Sequence, residues 1–213
     1  MLELACGSGR LTLPIAGIGT EIAGLDASEP MLTLAREKAA HANLQVDWYL
    51  GDMADFDLDR RFSLIFVPNN SLAHLLTWQD FGLCLACVRR HLADDGRFML
   101  DYFNPSLMLL SRDPNTRYPA GSFDAPGGSR QISVSEQVRY DAATQINHIR
   151  WFWHSEATSE EQISDYSMRV YFPQELDALL THNGFAIEDK YGDFDFSPFT
   201  SASRHQLIVA KMV

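Results

Sequence analysis

Short apolar runs alternating with segments of helical period fill residues 1–103, and this rhythm restricts the fold more than any other feature of the chain. Residues 2–4 end an apolar strand, residues 21–25 lead into Asp26, Leu44, Val46, Trp48 and Leu50 alternate, and residues 97–103 close the series. Residues 62–67 are almost continuously apolar, as in a parallel strand buried on both faces. Between these runs, Leu11, Leu13, Ile15 and Ala16 begin one helix. Ser28 has N-cap character ahead of Pro30, Met31, Leu34, Ala35 and Ala39, in a helix reaching about residue 41. A third amphipathic helix covers residues 78–92, and Asp94-Asp95-Gly96 reads as a turn. The expected class is α/β: a doubly wound, mostly parallel sheet with helices on both faces, collecting ligands at the carboxyl ends of its strands.

Past Phe103 the rhythm changes. Residues 111–130 crowd prolines and glycines among polar side chains, which predicts a surface loop. Residues 131–140, 146–155 and 163–172 then show period-two character with no helix between them, which predicts an inserted antiparallel sheet. In the middle stretch Ile149, Trp151 and Trp153 fall on one face, and His148, Arg150, Phe152 and His154 on the other. Pro173 opens a helix carrying Leu176, Leu179 and Leu180, Gly184 closes it, and residues 185–191 and 206–212 read as final strands. A chain of 213 residues fits one domain: residues 1–104 and 172–213 as core, with 105–171 inserted.

Composition narrows the partners. With 28 acidic against 17 basic side chains the net charge is -11, so a polyanion meets repulsion, and pairs such as Arg60-Arg61 are too short for a nucleic-acid footprint. Cys6, Cys84 and Cys87 show no secreted-domain spacing, which predicts a cytoplasmic protein. Cys84 and Cys87 lie in an apolar helical run without a second ligand pair, so core packing is expected of them rather than metal binding. The chain shows neither a signal-like start nor an apolar window of about 18 residues, so no membrane partner is expected.

The chemistry concentrates at strand ends. Residues 2–10 form a strand running into the small-residue turn Ala5-Cys6-Gly7-Ser8-Gly9, and a helix follows. Gly7 and Gly9 remove side chains that would keep a ligand off the backbone, and the helix start beyond offers free N–H donors. Asp26, one strand later, can accept both hydroxyls of a ribose held at the turn. Asp52 ends the third strand, where it can accept from an exocyclic amine while Met53 offers a polarizable edge to the base. A dinucleotide fingerprint calls for a third small residue three positions after Gly9, where Thr12 stands.

Glu3-x-Ala5-Cys6-Gly7-Ser8-Gly9, Asp26 and Gly51-Asp52-Met53 resemble the first three motifs of the class I S-adenosylmethionine-dependent methyltransferases. Asn69-Asn70-Ser71-Leu72 and Asp101-Tyr102-Phe103-Asn104-Pro105 resemble a small-molecule branch, and the inserted strands are similar to those that roof the substrate pocket of sugar-amine N-methyltransferases. The resemblance implies a seven-stranded sheet completed by a C-terminal antiparallel hairpin, and S-adenosylmethionine as cofactor. It implies cofactor contacts from Glu3, Ala5, Gly7, Gly9, Arg10, Asp26, Ala27, Met31, Asp52, Met53, Pro68 and Asn69. Asn70, Tyr102, His154 and Arg169 are the corresponding candidates for the acceptor. Pro68-Asn69-Asn70 departs from the Asn/Asp-Pro-Pro-aromatic motif of many nucleic-acid amino methyltransferases, which with the acidic charge argues for a small acceptor.

Methyl transfer from a sulfonium is a direct displacement that needs alignment and exclusion of water, and no metal. A general base serves an acceptor that arrives protonated, and His74 is the candidate. Members of the family usually carry an N-terminal segment closing over the cofactor, whereas here the first strand already runs at Met1; the expectation is a late start site or an absent lid. A homodimer through the inserted sheet is the expected assembly. The alternatives are a cofactor-binding pseudoenzyme or regulatory subunit, and a nicotinamide oxidoreductase, against which Thr12 and Asp52 count.

Overall fold

The computed structural model of the chain describes residues 1–124, 131–155 and 161–213, and divides into two compact units, Met1–Asn104 with Phe172–Val213, and Pro105–Tyr171. In the first unit β1 (Leu2–Leu4), β2 (Ala23–Asp26), β3 (Asp47–Leu50), β4 (Phe62–Val67) and β5 (Leu92–Phe103) run parallel in the order β3-β2-β1-β4-β5. The last strand, β11 (His205–Met212), adds antiparallel to β5, and β10 (Phe185–Tyr191) adds antiparallel to β11, giving seven strands. The expected sheet and its C-terminal hairpin are both present.

Strand order decides where a ligand can enter. The chain walks outward from β1 to β3 and then returns past β1 to β4. Parallel crossovers are right-handed, so α1 (Thr12–Gly17) and α2 (Glu29–His41), which serve the outward walk, cover one face. The helix α3 (Trp78–His91), linking β4 to β5, covers the other, where α5 (Pro173–His182) packs beside it. The reversal leaves a crevice at the carboxyl ends of β1 and β4.

The central strands are as dry as their composition demands: Leu2, Leu4, Ile65 and Val67 are fully buried. Close packing also explains Gly24 in β2. A Cβ there would stand 2.7 Å from Cys6 Sγ and 2.8 Å from the Trp48 ring, so β3 can lay its tryptophan across β2 only because Gly24 lacks a side chain. Cys84 and Cys87 are buried free thiols on the inner side of α3, as their apolar context predicts. Asp94-Asp95-Gly96 does not separate α3 from the strand; Leu92 already pairs with Phe62, and a register shift precedes the Arg97–Leu64 pair.

The second unit is a four-stranded antiparallel sheet in the order β6-β7-β8-β9, preceded by the short helix α4 (Leu107–Leu110). Its strands are β6 (Tyr118–Asp124), β7 (Gln131–Asp141), β8 (Ile146–Ser155) and β9 (Gln162–Arg169). The expected loop over residues 111–130 is therefore corrected in part: β6 is a strand, and residues 125–130 lie outside those described. Pro119 and Gly121 disguised it. At a sheet edge a proline sacrifices no ladder bond, and the shift between these two residues is a bulge.

The two faces of β8 separate as expected. On one, Trp151 meets Trp153 and Tyr166 edge-on at 5.3 and 5.2 Å between centroids, while its Nε1 donates to Glu136. On the other, Phe152 is buried and the Arg117 guanidinium sits 3.4 Å from its ring centroid, so this side is anchored by a cation–π contact.

His91 ties the segment between β3 and β4 to the first unit. It is buried at the end of α3, its Nδ1–H donates to the Cys87 carbonyl at 2.7 Å, and its Nε2 accepts from the Leu58 N–H at 2.8 Å. Both bonds require the neutral Nδ1–H tautomer. Replacing His91 with alanine leaves a backbone donor unpaired and a void beside Phe56, whose ring lies 4.7 Å away. The expected loss is about 2 to 3 kcal/mol of unfolding free energy, read from the urea midpoint.

Candidate functional site

The turn after β1 holds three residues at positive φ: Ala5 at 55°, Gly7 at 55° and Gly9 at 77°. For Ala5 the left-handed conformation costs about 1 to 2 kcal/mol, a strain that the surrounding structure must hold in place. The two glycines differ in role. A Cβ on Gly7 would meet only the end of Met31, at 3.7 Å, so its surface is open to a ligand. A Cβ on Gly9 would come within 2.8 Å of Trp48 and 3.1 Å of Leu13, so the absence of a side chain there also makes room for the core.

The Asp26 carboxylate spans the cradle. One oxygen accepts from the Gly7 N–H at 2.7 Å and the other from the Ser28 N–H at 2.8 Å. A carboxylate has about four acceptor positions, so two remain for a diol. Ala27 and Met31 are exposed just beyond. Asp52 is exposed at the end of β3 and accepts the Ala54 N–H at 2.8 Å, while Met53 is buried beside it.

Glu3 is placed differently from the other acids. It is buried, with its carboxyl accepting from the Thr12 hydroxyl, so it braces the turn from below. Thr12 stands where the dinucleotide pattern wants a small residue because its hydroxyl is the partner Glu3 needs. Burial pushes the Glu3 carboxyl up to about 7, against the opposing effect of the Thr12 bond.

Across the crevice, β4 ends at Val67, and Pro68 is buried. Asn69 and Asn70 both adopt positive φ, 55° and 60°. Their groups clamp β5: the Asn69 N–H donates to Asp101 Oδ2 at 3.1 Å, the Asn70 N–H to the Asp101 carbonyl at 3.2 Å, and the Asn70 side-chain oxygen accepts from the Phe103 N–H at 2.7 Å. The free oxygen of Asp101 meets His205 Nδ1 at 3.0 Å. His205 was not singled out from the sequence; it lies 104 residues from its partner, and no local spacing signals the pair.

Of the acceptor candidates, Tyr102 is fully buried, with its ring tilted against Phe103 at 4.5 Å between centroids. Asn70 uses its amide oxygen on β5. His74 is exposed at the end of the 3₁₀ turn Ser71–His74. A cavity of about 550 Å³ in the first unit extends from Arg10 past Pro68 and Asn69 to Asp101, with Phe194 and Phe196 on its wall. In the second unit His154 is exposed opposite Ser133, and Arg169 donates to the Gln145 side chain at 3.1 Å with its guanidinium 5.2 Å from the Tyr171 ring centroid. That unit has its own concavity of about 560 Å³, edged by His148, Arg139 and the Arg150–Asp165 ion pair. Among the described residues no cluster of His, Cys, Asp and Glu could hold a metal ion, and no helix is long and apolar enough to cross a membrane.

Asp26 and Asp52 at the ends of two successive strands, beside a left-handed glycine turn at a topological switch point, make the arrangement of a nucleoside-binding α/β protein. The methyltransferase domain family matches residues 1–96. The chain is 35% identical over 193 residues to the dTDP-3-amino-3,4,6-trideoxy-alpha-D-glucopyranose N,N-dimethyltransferase of Streptomyces venezuelae, spanning 88% of this chain and 76% of that one. It is similar to the solved CcbJ methyltransferase of Streptomyces caelestis, with a TM-score of 0.87 and 30% identity over 100% of this chain and 88% of the other. The S-adenosylmethionine-bound amino pentose methyltransferase CalS10 of Micromonospora echinaspora shares the fold, with a TM-score of 0.74 at 21% identity over 100% of this chain and 82% of the other. The chain belongs to the S-adenosylmethionine-dependent methyltransferases.

The buried Glu3 makes stability depend on pH. Its carboxyl ionises near 4.5 when unfolded and near 7 when folded, so the native state binds more protons between these values and loses stability as pH rises through the window. Glu3→Gln removes that cost. The variant is expected to exceed the wild type by up to about 3 kcal/mol at pH 8, with the difference vanishing near pH 4.5, in ligand-free denaturation across pH.

Proposed function

We propose that this methyltransferase acts on the amino group of a small acceptor of the amino-sugar class. The observation that carries the cofactor's side of this reading is Asp26, which holds the open Gly7 turn in place and keeps two acceptor positions for a ribose. S-adenosylmethionine, when bound, supplies an electrophilic methyl group on a sulfonium. In this reading Asp26 and Asp52 grip the two ends of the adenosine, Ala27, Met31 and Met53 contact its base, and Ala5, Gly7 and Arg10 border its amino-acid tail. Glu3 acts one layer below, where its carboxyl is bonded to the Thr12 hydroxyl under the turn.

The amine class rests on the sugar-amine N,N-dimethyltransferase from Streptomyces venezuelae that aligns with most of this chain. The chain's part is then positional: bring the nitrogen into line and exclude water. In this reading Pro68 and Asn69 stand with the cofactor contacts, Asn70 and His74 border the acceptor, and His154 and Arg169 of the inserted sheet are further candidates for it. The exposed Phe123 and Ile163 support a homodimer through that sheet, and three free thiols suit a cytoplasmic location.

Calorimetry with S-adenosylhomocysteine is expected to show binding, while NAD shows none. Asp26→Ala should weaken that binding by about 1.5 to 3 kcal/mol, the range for hydrogen bonds to a charged group. Tight NAD binding without a response to S-adenosylhomocysteine overturns the reading, and so does an Asp26→Ala protein that loses melting temperature but keeps its affinity.

A further inference from the structure

The Asp101–His205 pair has the geometry of a general base and the group that orients it. Asp101 lies two residues before β5 ends, and His205 opens the antiparallel neighbour β11, so both stand at the edge where ligands of this sheet class collect. Both carboxylate oxygens are committed, Oδ2 to the Asn69 N–H and Oδ1 to His205 Nδ1 at 3.0 Å. This fixes the imidazole by Nδ1 and turns Nε2 away from the acid. The Asp101 side chain is 14% exposed and the His205 side chain 30%, so the carboxylate is sheltered while the ring reaches the surface.

The support around the pair is more elaborate than a surface ion pair needs. Two consecutive asparagines in the left-handed region aim Asp101. The Asn104 N–H donates to the Arg204 carbonyl at 2.8 Å, the His205 N–H to the Gly192 carbonyl at 3.3 Å, and the Phe194 ring rests 5.0 Å from the imidazole. Left-handed non-glycine residues held by their surroundings concentrate where geometry serves a function. Asp101 also lines the cavity that runs past Asn69 and Pro68 to Arg10, the residue that follows the glycine turn.

We propose that Asp101 and His205 form a proton-accepting dyad for the methyl acceptor, with His205 taking the proton on Nε2 and Asp101 positioning the ring. This deepens the amine methyltransferase reading above and rests on it. The acceptor enters as an ammonium. One N–H bond breaks, the proton bonds to Nε2, and the resulting imidazolium keeps its Nδ1–H on the Asp101 carboxylate. The nitrogen retains the electron pair and forms the new N–C bond to the methyl carbon. The C–S bond breaks with its electrons on sulfur, which leaves as a neutral thioether. His205 returns its proton to water after product release.

The test uses His205→Asn, whose amide nitrogen can still donate to Asp101 but cannot take a proton, with dTDP-3-amino-3,4,6-trideoxy-alpha-D-glucopyranose as probe. Expected are unchanged affinity for S-adenosylhomocysteine, a KM within about threefold of the wild type, and a kcat about 100-fold lower, the usual contribution of a general base. Imidazole in the buffer should restore part of the rate to His205→Gly. Histidine ¹⁵N spectra of the ligand-free wild type should show His205 protonated on Nδ1 and bare on Nε2, a bias lost in Asp101→Asn. A His205→Asn kcat within threefold of the wild type overturns the dyad, as does a loss confined to His74→Gln. If S-adenosylhomocysteine binds but the probe is not methylated, the amino-sugar reading falls and the spectra decide the dyad: a wild-type His205 protonated on Nε2 overturns it.

Discussion

The cradle of this protein depends on one carboxylate. Asp26 holds the Gly7 N–H from across the first loop and the Ser28 N–H at the start of α2, so a turn strained at Ala5 and a helix start are locked to one point. Each bond compensates a backbone donor that the local geometry would otherwise leave without a partner. The turn is therefore held in one shape by the protein's own groups, which is the condition for pre-organisation.

Beneath that layer, packing decides what the turn can be. Trp48 reaches over Gly24 to Gly9, and Thr12 meets Glu3, so residues from three separate strands and a helix fill the space under one loop. A buried carboxyl is tolerated there because it sits largely protonated until neutral pH and because a hydroxyl is bonded to it. The same burial raises the Cys6 and Cys84 thiols well above their ordinary range, which leaves them packing groups rather than nucleophiles.

On the other side of the crevice the organising device is again a set of backbone bonds to side chains. Asn69 and Asn70 bind β5 at three points, and Asp101 passes the constraint on to His205. The two sides of the switch point are thus built on the same principle, a carboxylate oriented by left-handed residues, although no sequence similarity links Ala5–Gly9 to Asn69–Asn70.

The sequence by itself determined the class of fold, because buried parallel strands and amphipathic helices carry their periods within a few residues, and it placed Asp26 and Asp52 at the carboxyl ends of their strands for the same reason. It also placed three strands of the insert by their alternation, and missed β6 because an edge strand can contain the proline and glycine that mark a loop elsewhere. Only the tertiary structure decided that Gly9 serves Trp48, that Glu3 turns inward to Thr12, that Tyr102 faces the core, and that Asp101 meets His205. Each of these depends on partners brought together by strand order, from 9 to 104 residues apart in the hydrogen-bonded cases. Local periodicity encodes which face of an element is buried; it carries no information about which distant side chain will be waiting there.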